Sequence, residues 1–246
     1  MPHQFGTEFM ATVQSILSEL KSKGSESTRA IYVRHGFPPD RVFGVSAANL
    51  KLIAKKIKGD QKLACALYDT GNLDAMYLAG LVVDGSQMTE RQLGAWAKAA
   101  DGLQMISEYT VPGAAVASPH AFALASKWIK SKQESVAACG WRTYAEIVAT
   151  TADDDLDLTD IDERLETIAK SIHGAKNRVR HTMNGFVIAV GTYVKPLLTR
   201  ARATAQKIGK VSVDMGDTAC KVPLATATIQ KAESAGKVGK KRKAAR

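Results

Sequence analysis

The sequence predicts an all-α fold, an α-α superhelix of antiparallel helix pairs of HEAT or armadillo type, and three observations point to it. Ala, Leu, Ile and Lys are plentiful, while β-branched residues alternating at period two are scarce. Apolar residues recur at the three- and four-residue spacing of one-sided helices. Capping residues and glycines cut these stretches into short helices on tight turns, at roughly repeat-protein spacing; a compact bundle is the competing packing.

The elements follow in order. Phe9, Val13, Ile16, Leu17 and Leu20 define a first helix that ends near Gly24. Ser46 caps a second, with Leu50, Ile53, Ala54 and Ile57 inward, Lys51, Lys55, Lys56 and Lys58 outward, and Gly59 as its stop. Asp60 opens a helix through Leu63, Leu67 and Tyr68 that Gly71 closes, and Asn72 opens the next through Leu73, Met76, Leu78 and Val82. Thr89 and Gln92 form a capping box ahead of Leu93 and Trp96, and Ser118-Pro119 reads as an N-cap followed by proline at the first helical position. Further helices are expected over 134–149, 160–172, 176–194, 196–208 and 224–235. Residues 1–236 are thus expected to form one helical-repeat domain, and the basic residues 237–246 a disordered tail.

At 246 residues and 26.4 kDa the chain can bury a sizeable core. Cys65, Cys139 and Cys220 are too few and too scattered for a disulfide framework, and no CxxC or CxxxH spacing marks a zinc site. No apolar run reaches the roughly 18–20 residues needed to cross a bilayer, and residues 1–9 carry no hydrophobic signal core. A cytoplasmic monomer with no metal and no cofactor is the expectation. Asp153-Asp154-Asp155-Leu156-Asp157 lacks the Gly and terminal Glu of a calcium loop and reads as a solvated linker.

Charge is segregated. The chain carries +10 overall, whereas residues 176–246 hold 16 Lys/Arg against 3 Asp/Glu. A polyanion held by the C-terminal part is implied, with nucleic acid the leading candidate. Lys176 and Arg180 share one face at the start of a helix, Arg178 and His181 another, so this turn can grip neighbouring phosphates; a solvated helix start is the alternative. Arg200, Lys207 and Lys210 read as a phosphate-facing strip, and Lys240, Lys241, Arg242 and Lys243 as loosely phosphate-attracting. Asn184, within an apolar helix, is expected to hydrogen-bond a neighbouring helix. Residues 214–223 read as a structured turn whose thiol, Cys220, has no histidine near it in sequence. The three tryptophans, Trp96, Trp128 and Trp141, are expected to pack between repeats.

An ordered series of motifs adds a family. Gly44-Val45-Ser46, Leu50 with Ala54-Lys55-Lys56, Leu67-Tyr68-Asp69-Thr70-Gly71 with Ala75, and Met88-Thr89-Glu90 with Leu93 and Trp96 resemble the DNA alkylation repair family. Its HEAT-like members include alkylpurine DNA glycosylases, and the resemblance spans roughly residues 41–191. It implies a curved solenoid whose basic concave face holds duplex DNA, with an aspartate and two tryptophans beside the lesion. As a cationic alkylpurine departs, the sugar gains oxocarbenium character that a carboxylate stabilises while aromatic faces meet the cationic nucleotide.

Here the aligned positions depart from that set. The first tryptophan falls at Leu103 and the aspartate at Ser107; Glu108 is the nearest carboxylate, but one residue along a helix turns a side chain by about 100°. The second tryptophan falls at Gly185-Phe186, where Phe186 can stack or serve as core, and an expected arginine falls near Ala138-Cys139. The resemblance therefore implies DNA binding that outlasts efficient base excision. The runner-up is a working glycosylase with Glu108 or Asp101 as the acid and Phe186 as the aromatic; a protein-interaction scaffold is the third reading.

Overall fold

The computed structural model describes residues 11–244, so Phe9 and Arg246 lie outside the described residues. Among the described residues thirteen α-helices follow one another: α1 (Val13–Lys23), α2 (Glu26–Arg34), α3 (Ala47–Lys56), α4 (Gln61–Tyr68), α5 (Leu73–Val82), α6 (Glu90–Ala99), α7 (Val111–Ala117), α8 (Ala121–Trp128), α9 (Glu134–Thr150), α10 (Leu158–Ser171), α11 (Asn177–Tyr193), α12 (Leu198–Ile208) and α13 (Ala225–Ser234). No strand occurs among the described residues, and no described helix is long and apolar enough to cross a membrane.

Local chemistry sets most boundaries. Ser46, Asp60 and Asn72 each accept a backbone N–H at the start of α3, α4 and α5, and Thr89 with Gln92 closes a reciprocal capping box on α6. Three elements differ from expectation, α7 being one that no side-chain cap marks. The helix α2 has no buried residue and leaves Ile31 and Val33 exposed, so no inward stripe marks it in the sequence. The Ser118-Pro119 cap is displaced: Ser118 is buried, its Oγ accepts from His120 N at 3.2 Å, and α8 starts only at Ala121.

Two apolar clusters meet along α9. The first gathers Leu20, Leu50, Leu67, Leu93 and Trp96 from α1 to α6 together with Leu103, and the second gathers Trp141, Phe186 and Ile229 from α9, α11 and α13. All three tryptophans are buried between helices; Tyr68 stacks on Trp96 at 3.7 Å and donates its hydroxyl to Trp96 O at 2.7 Å. Because α9 packs against α7, α8 and α11, it is buried around nearly its whole circumference. Each fully buried large apolar side chain along these clusters contributes about 1.5–3 kcal/mol.

A buried carboxylate organises the N-terminal half. Asp74 Oδ2 accepts from Phe43 N at 2.7 Å and Gly44 N at 3.2 Å, and its Oδ1 accepts from Val45 N at 2.9 Å. Gly44 sits at φ 80°, and a Cβ there would meet Arg29 N at 2.6 Å, so the close docking of this turn on α2 needs glycine. Burial pushes the Asp74 carboxyl above its usual range while the three N–H bonds pull it back. Asp74→Asn leaves one carbonyl oxygen for three donors; the substitution is expected to cost about 1–3 kcal/mol, read by calorimetry as a lower Tm.

Candidate nucleic-acid interface

Between α6 and α7 the chain forms a π-helical turn, Ile106–Thr110, packed against α5, α7 and α9. A π turn inserts a residue into the helical phase, which re-aims the side chains that follow. Ser107, expected at the aspartate position that the resemblance implies, is buried with its hydroxyl donated to Gln104 O at 3.3 Å, and Leu103, expected at the tryptophan position, is buried in the core. Glu108 instead lines a cleft of about 300 Å³ formed with α9, α11 and the C-terminal segment.

Glu108 is only 3% exposed, and both its oxygens are engaged. Arg178 reaches Oε1 with Nε at 2.6 Å and Nη2 at 2.5 Å, and His181 Nδ1 lies 2.8 Å from Oε2. A carboxylate only accepts, so the proton of that contact sits on His181 Nδ1. Glu134 Oε1 accepts the backbone N–H of Arg178 at 2.6 Å, which supplies the α11 N-terminus with the cap that Lys176 does not provide.

A second buried carboxylate floors the same cleft. Glu146, 1% exposed, pairs with Arg142 one turn earlier on α9 at 2.6 Å and with Arg242 from the C-terminal segment. Arg142 lies 5.2 Å above the ring of Tyr109, which is 45% exposed, and Arg242 lies 5.5 Å above the ring of Tyr193. Between these pairs, Asn184 donates Nδ2 to Pro223 O at 2.9 Å, so its predicted buried bond runs to a loop carbonyl rather than to a helix. Its Oδ1 accepts from no donor among the described residues, although Asn184 is only 2% exposed and lines the cleft.

The structure redistributes the residues expected to meet phosphate. Phe186 is fully buried, 5.3 Å from Tyr144 and 5.5 Å from Trp141, so it is core and presents no face to a nucleotide. Arg200 donates to Asp162 at 2.6 Å and Glu166 at 2.8 Å, which interrupts the strip expected on α12; Lys207 and Lys210 remain exposed. Lys176 Nζ donates to Lys132 O at 2.8 Å, and half-buried Arg180 lies 3.5 Å from Asn177 Oδ1. Asp101 is exposed on the turn after α6, outside the lining of the cleft.

The expectation of a disordered tail gives way to a docked one over residues 237–244. Gly239 N donates to Thr192 O at 2.9 Å, Arg242 N to Ala149 O at 2.8 Å, and Lys241 Nζ meets Asp153 at 2.7 Å and Val148 O at 2.9 Å. Lys240 and Lys243 stay exposed on its outer side. Arg142, Glu146, Tyr109 and Tyr193 did not stand out in the sequence. The available signal was an ion pair at i and i+4 inside an otherwise apolar helix.

Comparison with known proteins agrees with this architecture. A solved structure superposes with a TM-score of 0.86 at 34% identity, over 95% of this chain and 98% of the other; that protein is described as one of a new family related to the HEAT-like repeat DNA glycosylases with affinity for branched DNA structures. The fold is therefore that of a HEAT-like repeat protein. Residues 16–207 match the family of DNA alkylation repair enzymes, and the chain belongs to it. Uncharacterised proteins of Listeria innocua and Listeria monocytogenes are each 31% identical over 230 residues, covering 92% of this chain and 99% of their own length.

Removing the Glu108 charge leaves Arg178, itself largely buried, without its counter-ion. Glu108→Gln is expected to destabilise the fold by about 2–4 kcal/mol and lower Tm, with Glu108→Ala worse.

Proposed function

We propose that this protein binds DNA, favouring branched structures over uninterrupted duplex, and does not excise bases efficiently. The observation that carries the second half is the state of Glu108: the carboxylate nearest the family's catalytic position is closed off by Arg178 and His181. A carboxylate held between a guanidinium and an imidazole has its negative charge already compensated. It therefore offers little to a developing oxocarbenium ion. The aligned aromatic positions, Leu103 and Phe186, are buried and cannot sandwich a cationic base.

The first half rests on the remaining cations and on the cleft. Lys207, Lys210, Lys240 and Lys243 are exposed and suited to phosphate contact that is independent of sequence. Tyr109 presents a ring at the cleft mouth, and Asn184 Oδ1 offers an acceptor on its floor. Branch points place unstacked bases and converging backbones together, which matches an aromatic edge beside separated cations better than a straight duplex does. The affinity for branched DNA described for the related solved protein points the same way.

A labelled four-way junction and a linear duplex of equal strand length, titrated at about 50 and 200 mM salt, test the reading. The junction is expected to bind about tenfold tighter, with both affinities falling on the order of tenfold or more across that salt range. Lys240→Ala combined with Lys243→Ala is expected to weaken both ligands alike and to flatten the salt dependence. Affinity indifferent to salt would overturn the electrostatic basis. Release of N7-methylguanine or N3-methyladenine from alkylated DNA by the folded protein would overturn the absence of excision.

A further inference from the structure

Cys220 has no histidine near it in sequence, yet the fold brings one from the opposite end of the chain: Cys220 Sγ lies 3.7 Å from His35 Nε2. The loop that carries the thiol is fixed in place. Asp217 N donates to Arg34 O at 2.8 Å, and Gly216, at φ 72°, approaches so closely that a Cβ would meet Arg34 O at 2.4 Å. Cys220 N donates to Thr218 Oγ1 at 3.2 Å. The histidine is held as firmly: its carbonyl accepts from Gln104 Nε2 at 2.5 Å, and its Nδ1 lies 2.8 Å from Ile31 O.

That last contact assigns the tautomer. A carbonyl oxygen can only accept, so His35 Nδ1 carries the hydrogen and the neutral ring turns the Nε2 lone pair to the thiol. A nucleophile within reach of a base, the base oriented by a third group, is the arrangement that activates thiols. Cys220 is exposed, while Cys139 is buried and Cys65 half-buried. It opens on a pocket of about 380 Å³ lined by Tyr32, Phe37 and Met105, with exposed Lys221 as a cation beside it; Arg178 also lines the pocket but is paired with Glu108.

We propose that Cys220 is a nucleophilic thiol with His35 as its general base, and that it accepts an alkyl group from small electrophiles bearing an anionic leaving group. His35 Nε2 takes the thiol proton, and the sulfur electron pair forms a new S–C bond. The bond from carbon to the leaving group breaks, and its electron pair departs on a sulfonate or phosphate oxygen toward Lys221. The step is redox-neutral and needs no co-reactant. Its product is a thioether, so the site acts once per chain. The apolar walls suit an alkyl carbon, and with no second cysteine beside Cys220 the pocket is not arranged for disulfide exchange. The inference is independent of DNA binding.

Full-length protein treated with limiting methyl methanesulfonate, or with iodoacetamide, and mapped by peptide mass spectrometry tests this. Cys220 is expected to be alkylated first, about tenfold faster than a free peptide spanning residues 214–223. His35→Gln is expected to slow Cys220 by on the order of tenfold or more while Cys65 keeps its rate and Cys139 stays protected. Free imidazole is expected to restore reactivity to His35→Ala, a rescue that a purely structural role would not show. Equal rates at Cys220 in wild type and His35→Gln, or a wild-type rate no faster than the peptide, would overturn the proposal; the peptide comparison stands even where a variant fails to fold.

Discussion

The buried carboxylate of Glu108 is the constraint around which the cleft is built. A charge this far from water is tolerable only when opposite charges and hydrogen bonds surround it, and here two side chains of α11 do so at contact distance. Meeting that requirement fixes where α11 begins, how it is rotated and how closely it abuts the π turn. The same geometry that holds the helix also keeps both Glu108 oxygens engaged. Glu146 repeats the logic from α9, and the demand for a second cation there is what brings Arg242 inward.

Seen through these pairs, the strongly basic C-terminal third is less cationic at its surface than its composition implies. Arg178, Arg200, Lys241 and Arg242 all face carboxylates supplied by the acidic N-terminal part. The acidic turn 153–157 takes part: Asp153 meets Lys241 and accepts the backbone N–H of Lys195 at 3.2 Å. Segregated charge in this chain is first a code for its own assembly, and only the remainder faces outward.

What the sequence made legible is what neighbours in the chain decide. Caps at Ser46, Asp60, Asn72 and Thr89 act over three residues, and the apolar stripes of α3 to α6 act over one or two turns, so both could be read. The order of those motifs was enough for the family. Contacts across large separations were not readable. Glu108 and Arg178 are 70 residues apart, Glu146 and Arg242 are 96, and His35 and Cys220 are 185. Phe186 illustrates the same limit, since nothing local distinguishes a phenylalanine that stacks on a base from one lodged between Trp141 and Tyr144. The helix α2 escaped for the opposite reason: it has no fully buried residue and only Tyr32 packs partly on the core, so it leaves no stripe.

The docking of Gly216 and Asp217 on the end of α2 has a mechanical consequence. Ordinary solenoids are springs, free at both ends, and can open or tighten as each repeat yields slightly to the next. Here a segment close to the C-terminus is fastened to the second helix, so the coil is hooped. Bending of the stack must strain that fastening.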